Sequence, residues 1–145
     1  MNGLYLFAGL AGAAIAVEAA EVEAVVRLTD IAPVPGMGPH VAGLSALRSR
    51  VLTIVDAAAL VNGVPTPPSR RGLAVIADIG GHSYGILVDD VSDIIVVPEG
   101  PLPLRGRLDA VWFPYARAIV EKDGEPHLLV SLAGFIDAGL ALPAA

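Results

Sequence analysis

LYLFAGLAGAAIAVEAAEVEAVVRL, residues 4–28, and LAVIADIGGHSYGILVDDVSDIIVV, residues 73–97, align without a gap at a separation of 69 places. Only Leu4/Leu73, Ala8/Ala77, Gly12/Gly81 and Val22/Val91 are identical, but the apolar pattern agrees further. Leu6 meets Val75, Phe7 meets Ile76, Leu10 meets Ile79, Val17 meets Ile86, Val25 meets Ile94 and Val26 meets Ile95. Later the separation lengthens, and Ile54-Val55-Asp56 falls on Leu129-Val130-Ser131. The extra residues are assigned to the polar turn Lys122-Asp123-Gly124-Glu125-Pro126, where chain lengthening costs little. Two copies are expected within residues 1–145, at about 4–64 and 73–142, forming two similar lobes with a groove between them.

Each copy opens with a strand, a tight turn and a returning strand. Leu4 to Leu10, Ala11-Gly12 and Ile15 to Glu18 match Leu73 to Ile79, Gly80-Gly81 and Tyr84 to Val88. Gly-Gly supplies positive φ at little cost, which two-residue hairpins need. Val22, Val25 and Val26, like Val91, Ile94 and Ile95, read as one helical turn followed by a strand. Val51 to Val55 and Leu128 to Val130 read as further strands. Each runs into a short helix capped by Asp56 or Ser131, with Asn62-Gly63 and Gly139 as stops. Proline-rich stretches at 32–36, 65–68 and 98–103 read as extended connectors. The expected fold is mainly β, with about ten short strands in two small barrels and a few short helices.

Composition narrows the function. A chain of 145 residues is one domain's worth and needs no disulfide staple; cysteine is absent, so no thiolate metal site exists. Only nine Lys plus Arg and a net charge of −6 count against phosphate-backbone binding. Charged residues make up 17% of the chain, which fits either apolar contact with a partner or simple alanine richness. The apolar run Leu4 to Val17 lacks a preceding Lys or Arg and recurs mid-chain, so a strand pair is expected rather than a signal peptide. No uncharged run approaches the length of a membrane span.

Gly43-Leu44-Ser45-Ala46-Leu47-Arg48-Ser49-Arg50-Val51-Leu52-Thr53-Ile54-Val55-Asp56 resembles the family segment G-V-I-N-L-R-G-x-V-x-P-V-I-D. Gly85-Ile86-Leu87-Val88-Asp89-Asp90-Val91-Ser92-Asp93-Ile94-Ile95 resembles its G-x-x-V-D-x-V-x-[ED]-V-x. Ala32-Pro33-Val34-Pro35 matches the connector before the first segment. These residues identify the chain as resembling the CheW-like coupling proteins of chemotaxis, from about Leu4 to Leu140.

The resemblance implies two five-stranded β-barrels of SH3-like or OB-like type that exchange strands. It implies a cytoplasmic, non-enzymatic adaptor, with no cofactor and no metal, at membrane-associated receptor arrays. Its partners would be the regulatory domain of a CheA-type histidine kinase and the cytoplasmic tip of a chemoreceptor. Receptor contact is implied for Val22, Val25, Leu47 and Arg48, whereas the kinase-binding residues stay unknown. Ala24, Ala46, Ser49 and Thr53 depart from the family's acidic residue, Asn, Gly and Pro. Ser49 is expected to tolerate poorly the positive φ that glycine would permit. The competing function is a β-barrel module for a ligand or nucleic acid, which the acidic balance and sparse aromatics disfavour.

Other candidates have bland readings. Gly81-His82-Ser83-Tyr84-Gly85 matches G-x-S-x-G, but the nucleophile elbow requires strand, turn and helix, and here a strand follows. Asp89, Asp90 and Asp93 straddle Val91 without a full hard-cation ligand pattern. His40, His82 and His127 lack metal spacing. Trp112 and Tyr115, near Phe113, fit a partner anchor and a packing role equally. Arg48, taken as the one charge in the apolar stretch Val41 to Val55, fits an exposed turn residue without a role or a functional cation, and the resemblance favours the second; it falls opposite Arg117 at the original separation. An unpaired arginine must reach solvent or a carboxylate.

Overall fold

The computed structural model describes residues 3–36, 40–104, 106 and 108–140; the last two expected residues of the second copy, 141–142, lie outside this range. The fold is mainly β, as expected. The front half supplies β1 (Leu4–Leu10), β2 (Ala13–Glu18), β3 (Ala24–Arg27), β4 (Val41–Leu47), β5 (Arg50–Val55) and helix α1 (Ala57–Asn62). The back half supplies β6 (Leu73–Ile79), β7 (His82–Leu87), β8 (Asp90–Val96), β9 (Ala116–Lys122), β10 (Glu125–Val130) and helix α2 (Leu132–Leu140).

The strands form two five-stranded sheets, ordered β8-β1-β2-β10-β9 and β3-β6-β7-β5-β4. Each sheet therefore joins a hairpin from one half of the chain to three strands from the other. The joints are the parallel pairs, Leu128 with Ile15 in the first sheet and Thr53 with Tyr84 in the second, and the antiparallel pairs of β1 with β8 and β3 with β6. No pairing joins β8 to β9, or β3 to β4, among the described residues, so the expected barrels are two open sheets. Connector bridges Ala32↔Leu44 and Leu102↔Ile119 sit on β4 and β9, on the edges that closure would use.

β6 and β7 begin 69 residues after β1 and β2 (73 − 4 and 82 − 13), whereas β9, β10 and α2 begin 75 after β4, β5 and α1 (116 − 41, 125 − 50 and 132 − 57). The lengthening thus lies between β8 and β9, not in the turn Lys122 to Pro126. That turn has two central residues, since Lys122 pairs with Glu125 as Leu47 pairs with Arg50. Adding residues to such a tight hairpin would disturb its register, while a connector absorbs them cheaply. The longer connector folds into a 3-10 turn, Ala110–Trp112, and buries Trp112. Arg48 consequently corresponds to Asp123, not to Arg117.

Three apolar cores explain why β1 reads as a continuous apolar run. Tyr5 and Phe7 face a core with Ala16, Val97, Val120 and Leu129. Leu6, Ala8 and Leu10 point the other way, into a core shared with Val75, Ile86, Phe135 and Ile136. The second sheet has its own core of Ala42, Leu52, Ile54, Ala74, Ile76 and Leu87. Period-two alternation places successive residues of one strand in different cores. The shared core fills the joint between the sheets. Trp112 and Tyr115 belong to this core, and Tyr115 stacks on Phe135 with ring centroids 4.2 Å apart.

Both expected helix caps form. The Asp56 carboxylate accepts from Ala59 N, and Ser131 Oγ accepts from Gly134 N. Gly63 ends α1 at φ 77°. Gly139 does not end a helix but lies inside α2. Its reason is close packing, because a Cβ there would stand 2.6 Å from Val55 Cγ1.

Candidate functional site

The β4–β5 turn carries the motif Leu47-Arg48-Ser49-Arg50. Two-residue hairpins favour glycine or asparagine because central residues adopt positive φ. Arg48 takes this conformation at φ 56°, and Ser49 does not. The strain expected at Ser49 therefore falls on Arg48, at a cost of about 1 kcal/mol for a non-glycine residue. Arg48 is exposed, and makes no side-chain hydrogen bond or ion pair among the described residues.

The other candidate receptor-contact residues lie in two places. Val22 follows the 3-10 turn Ala19–Glu21, and Val25 stands in β3 opposite Val75. Both are half-buried against the shared core. Leu47 is half-buried against the core of the second sheet. β3 and β4 are the opposite edges of that sheet, so hydrogen-bonded pairing alone leaves these patches four strands apart.

A polar network joins them. Arg50 donates through Nη1 to Glu23 Oε1 at 3.1 Å and through Nη2 to Glu23 Oε2 at 2.5 Å. Nη1 also donates to Ser83 Oγ at 3.1 Å and lies 3.5 Å from Asp78 Oδ2. Ser83 Oγ donates to Asp78 Oδ1 at 2.6 Å. By strand alternation Arg50, Asp78 and Ser83 face the same way as Leu52, Ile76 and Leu87, capping one end of the second sheet's core. The Ser83 hydrogen bond, followed by Glu23 and Arg50, holds the Asp78 carboxyl below its ordinary value. The Glu23 hydrogen bond raises the Arg50 guanidinium further.

Sequence reading missed Arg50, Glu23 and Asp78. Arg50 stands at a variable position of the family segment, so the motif draws attention to Arg48, although both interrupt the same apolar stretch. Glu23 beside Val22 was a usable signal, being an acidic residue entering an edge strand. Val51 was missed too; it is 62% exposed and pairs with exposed Ala46 beside the turn.

The remaining candidates resolve locally. Ser83 lies on a strand–turn–strand unit and is held by Arg50 and Asp78, unlike a nucleophile elbow. Asp89 accepts from Gly12 N at 3.1 Å, and Asp93 pairs with Phe7 in the first sheet. Among the described residues no group of three His, Asp or Glu has metal-binding geometry. His127 packs against Phe7 at 4.8 Å, and His82 against Tyr84. Phe113 is the exposed aromatic of its turn. No helix among the described residues is long and apolar enough to cross a membrane.

Comparison with known proteins agrees with this architecture. The family model described as a CheW-like domain matches residues 4–139. The chain is 30% identical over 105 residues to a chemotaxis protein CheW of Rhizobium meliloti (strain 1021), covering 72% of this chain and 68% of the relative. It is 27% identical over 124 residues to a chemotaxis protein CheW of Thermotoga maritima, covering 86% and 81%. The crystal structure of scaffolding protein TtCheW from Thermoanaerobacter tengcongensis superposes with a TM-score of 0.77 at 19% identity, over 91% of this chain and 90% of that one, which establishes the shared fold.

Proposed function

Because the chain belongs to the CheW-like domain family, we propose that it is a non-enzymatic scaffold of chemotaxis-type signalling. It couples the cytoplasmic tip of a chemoreceptor to the regulatory domain of a CheA-type histidine kinase. The observation that carries this reading is the family match across 4–139, spanning both sheets. The two halves are copies of one unit within a single domain, and the protein works in the cytoplasm.

Val22, Val25, Leu47 and Arg48 form the receptor contact. Supporting this, Val22 is half-buried just before an edge strand and Val25 half-buried on it, and Arg48 projects from a strained turn with exposed Val51 nearby. The departures are compatible with contact at this surface. Ala24 packs on the second sheet's core, whereas Ala46 and Ser49 are exposed. Such a scaffold alters kinase activity only through different affinity for the kinase's active and inactive states.

The direct test is size-exclusion co-elution with the cognate kinase regulatory domain. Co-elution at about 30 µM is expected, corresponding to roughly 6 kcal/mol of binding free energy. Separate elution at that concentration would remove the kinase-coupling role.

A further inference from the structure

We propose that Arg50 is a positioning residue that clasps the two patches of the receptor-facing surface into one. The inference rests on the receptor-contact reading above. Glu23 lies directly after Val22 and before β3, and Arg50 lies two residues after Arg48. The Arg50–Glu23 fork spans from the entry of β3 to the start of β5. Ser83 and Asp78 support it from β7 and β6, so three of the sheet's five strands and the lead-in to a fourth meet at one guanidinium.

The tie matters because β3 is weakly held. It is four residues long, and its ladder runs along β6 alone. Its lead-in adds one backbone bond, from Glu23 N to Ile76 O. Short edge strands fray readily. Among the described residues, Arg50–Glu23 is the one ion pair joining this strand's entry to the β4–β5 hairpin. Its bidentate geometry fixes orientation as well as distance, which a lysine ammonium cannot do.

Among the described residues the first sheet has no equivalent. The positions matching Glu23 and Arg50 there are Ser92 and Glu125. Ser92 donates to Phe7 O, and Glu125 offers no cation to a partner strand. The clasp is therefore confined to the sheet that carries the candidate receptor surface.

The test uses the full chain and the variants Arg50→Gln, Glu23→Gln, Arg50→Lys and the double variant Glu23→Gln/Arg50→Gln. Binding is titrated against a soluble chemoreceptor hairpin-tip fragment and, separately, a CheA-type regulatory domain. Each single neutral variant should weaken receptor-tip binding by about tenfold, with the double no worse than the singles, as residues acting as one pair require. Kinase-domain affinity should stay within about twofold, since the clasp is proposed to order the receptor-facing surface alone. Arg50→Lys should recover only part of the loss. Raising salt should bring wild type toward the variants, because a half-exposed pair is screened. Unchanged receptor binding, additive losses in the double variant, or equal losses for both partners would overturn the clasp. Wild-type protein that binds neither partner would instead overturn the coupling reading.

Discussion

The β4–β5 and β9–β10 turns share their length and the conformation of their first central residue, and differ in almost everything their side chains do. Both link their strands through two central residues, and both place the first in the left-handed region, Arg48 at φ 56° and Asp123 at φ 54°. Asp123 is followed by Gly124 at φ 77°, whereas Arg48 is followed by Ser49. One turn carries Arg48 and Arg50, with Arg50 forked onto Glu23. The other carries Asp123 and Glu125, and its cation Lys122 lies 5.2 Å from the Phe7 ring centroid. Hairpin length fixes the register of both turns and leaves their side chains free to differ.

The largest expected effect breaks the backbone likeness between the sheets. Gly43 in β4 has φ 147°, and a Cβ there would stand 2.3 Å from Ala32 O. The matching residue in β9 is Ala118, half-buried on the first sheet's core. Gly43→Ala should destabilise by about 3 kcal/mol or more, as a forced backbone clash does. Ala118→Gly should cost at most about 1 kcal/mol. Urea midpoints measure both, and a Gly43→Ala protein as stable as Ala118→Gly would refute the close approach.

The helix caps differ next. Asp56 is 2% exposed and accepts from Ala59 N, Thr66 N and Thr66 Oγ1 at 3.2, 2.8 and 2.6 Å. Ser131 accepts one bond, from Gly134 N at 3.3 Å. Asp56→Ala should cost about 2–3 kcal/mol and Ser131→Ala about 1 kcal/mol, by thermal unfolding. Equal losses would show that the extra bonds from Thr66 add nothing.

At the turns themselves, Arg48→Asp should weaken receptor-tip binding and leave kinase binding nearly intact. Asp123→Arg should leave receptor-tip binding unchanged. Titration of both variants against both partners checks this, and equal losses at both partners for Arg48→Asp would refute the split.

The smallest effects concern pH. Asp78 has a lowered pKa, caused first by Ser83. Its stabilisation is present above the ordinary aspartate value and is lost as pH falls through the lowered one. Glu21 shows the opposite sign, because burial raises its pKa although Oε1 accepts from Leu132 N at 3.1 Å. Its stabilisation is present below the ordinary glutamate value and is lost as pH rises through the raised one. Glu21→Gln should therefore be more stable than wild type at pH 7 and equal to it in acid. A constant difference across urea curves at both pH values would contradict this.

The strands were legible because β1 and β6 are buried on both faces and their hairpins carry Gly12, Gly80 and Gly81. Asp56 and Ser131 announced their helices by cap chemistry. The site of the extra residues was not legible, since apolar matching cannot locate an insertion in a connector of different composition. Gly139 misled because a glycine near a helix end reads as a stop, while its packing on Val55 depends on tertiary contact. The same limit hid Arg50. Local sequence carries no sign that Glu23 and Arg50, 27 residues apart, meet across the second sheet. Trp112 and Tyr115 gave no local sign of which core they would enter.

The most direct measurement of the coupling role is a bridging experiment. An immobilised chemoreceptor hairpin-tip fragment is offered the CheA-type regulatory domain with and without this chain, at about 30 µM of each. Retention of the kinase domain only when the chain is present, and its loss with Arg48→Asp, is the expected result. Retention that does not depend on the chain, or no retention with it, would contradict coupling through the Arg48 turn.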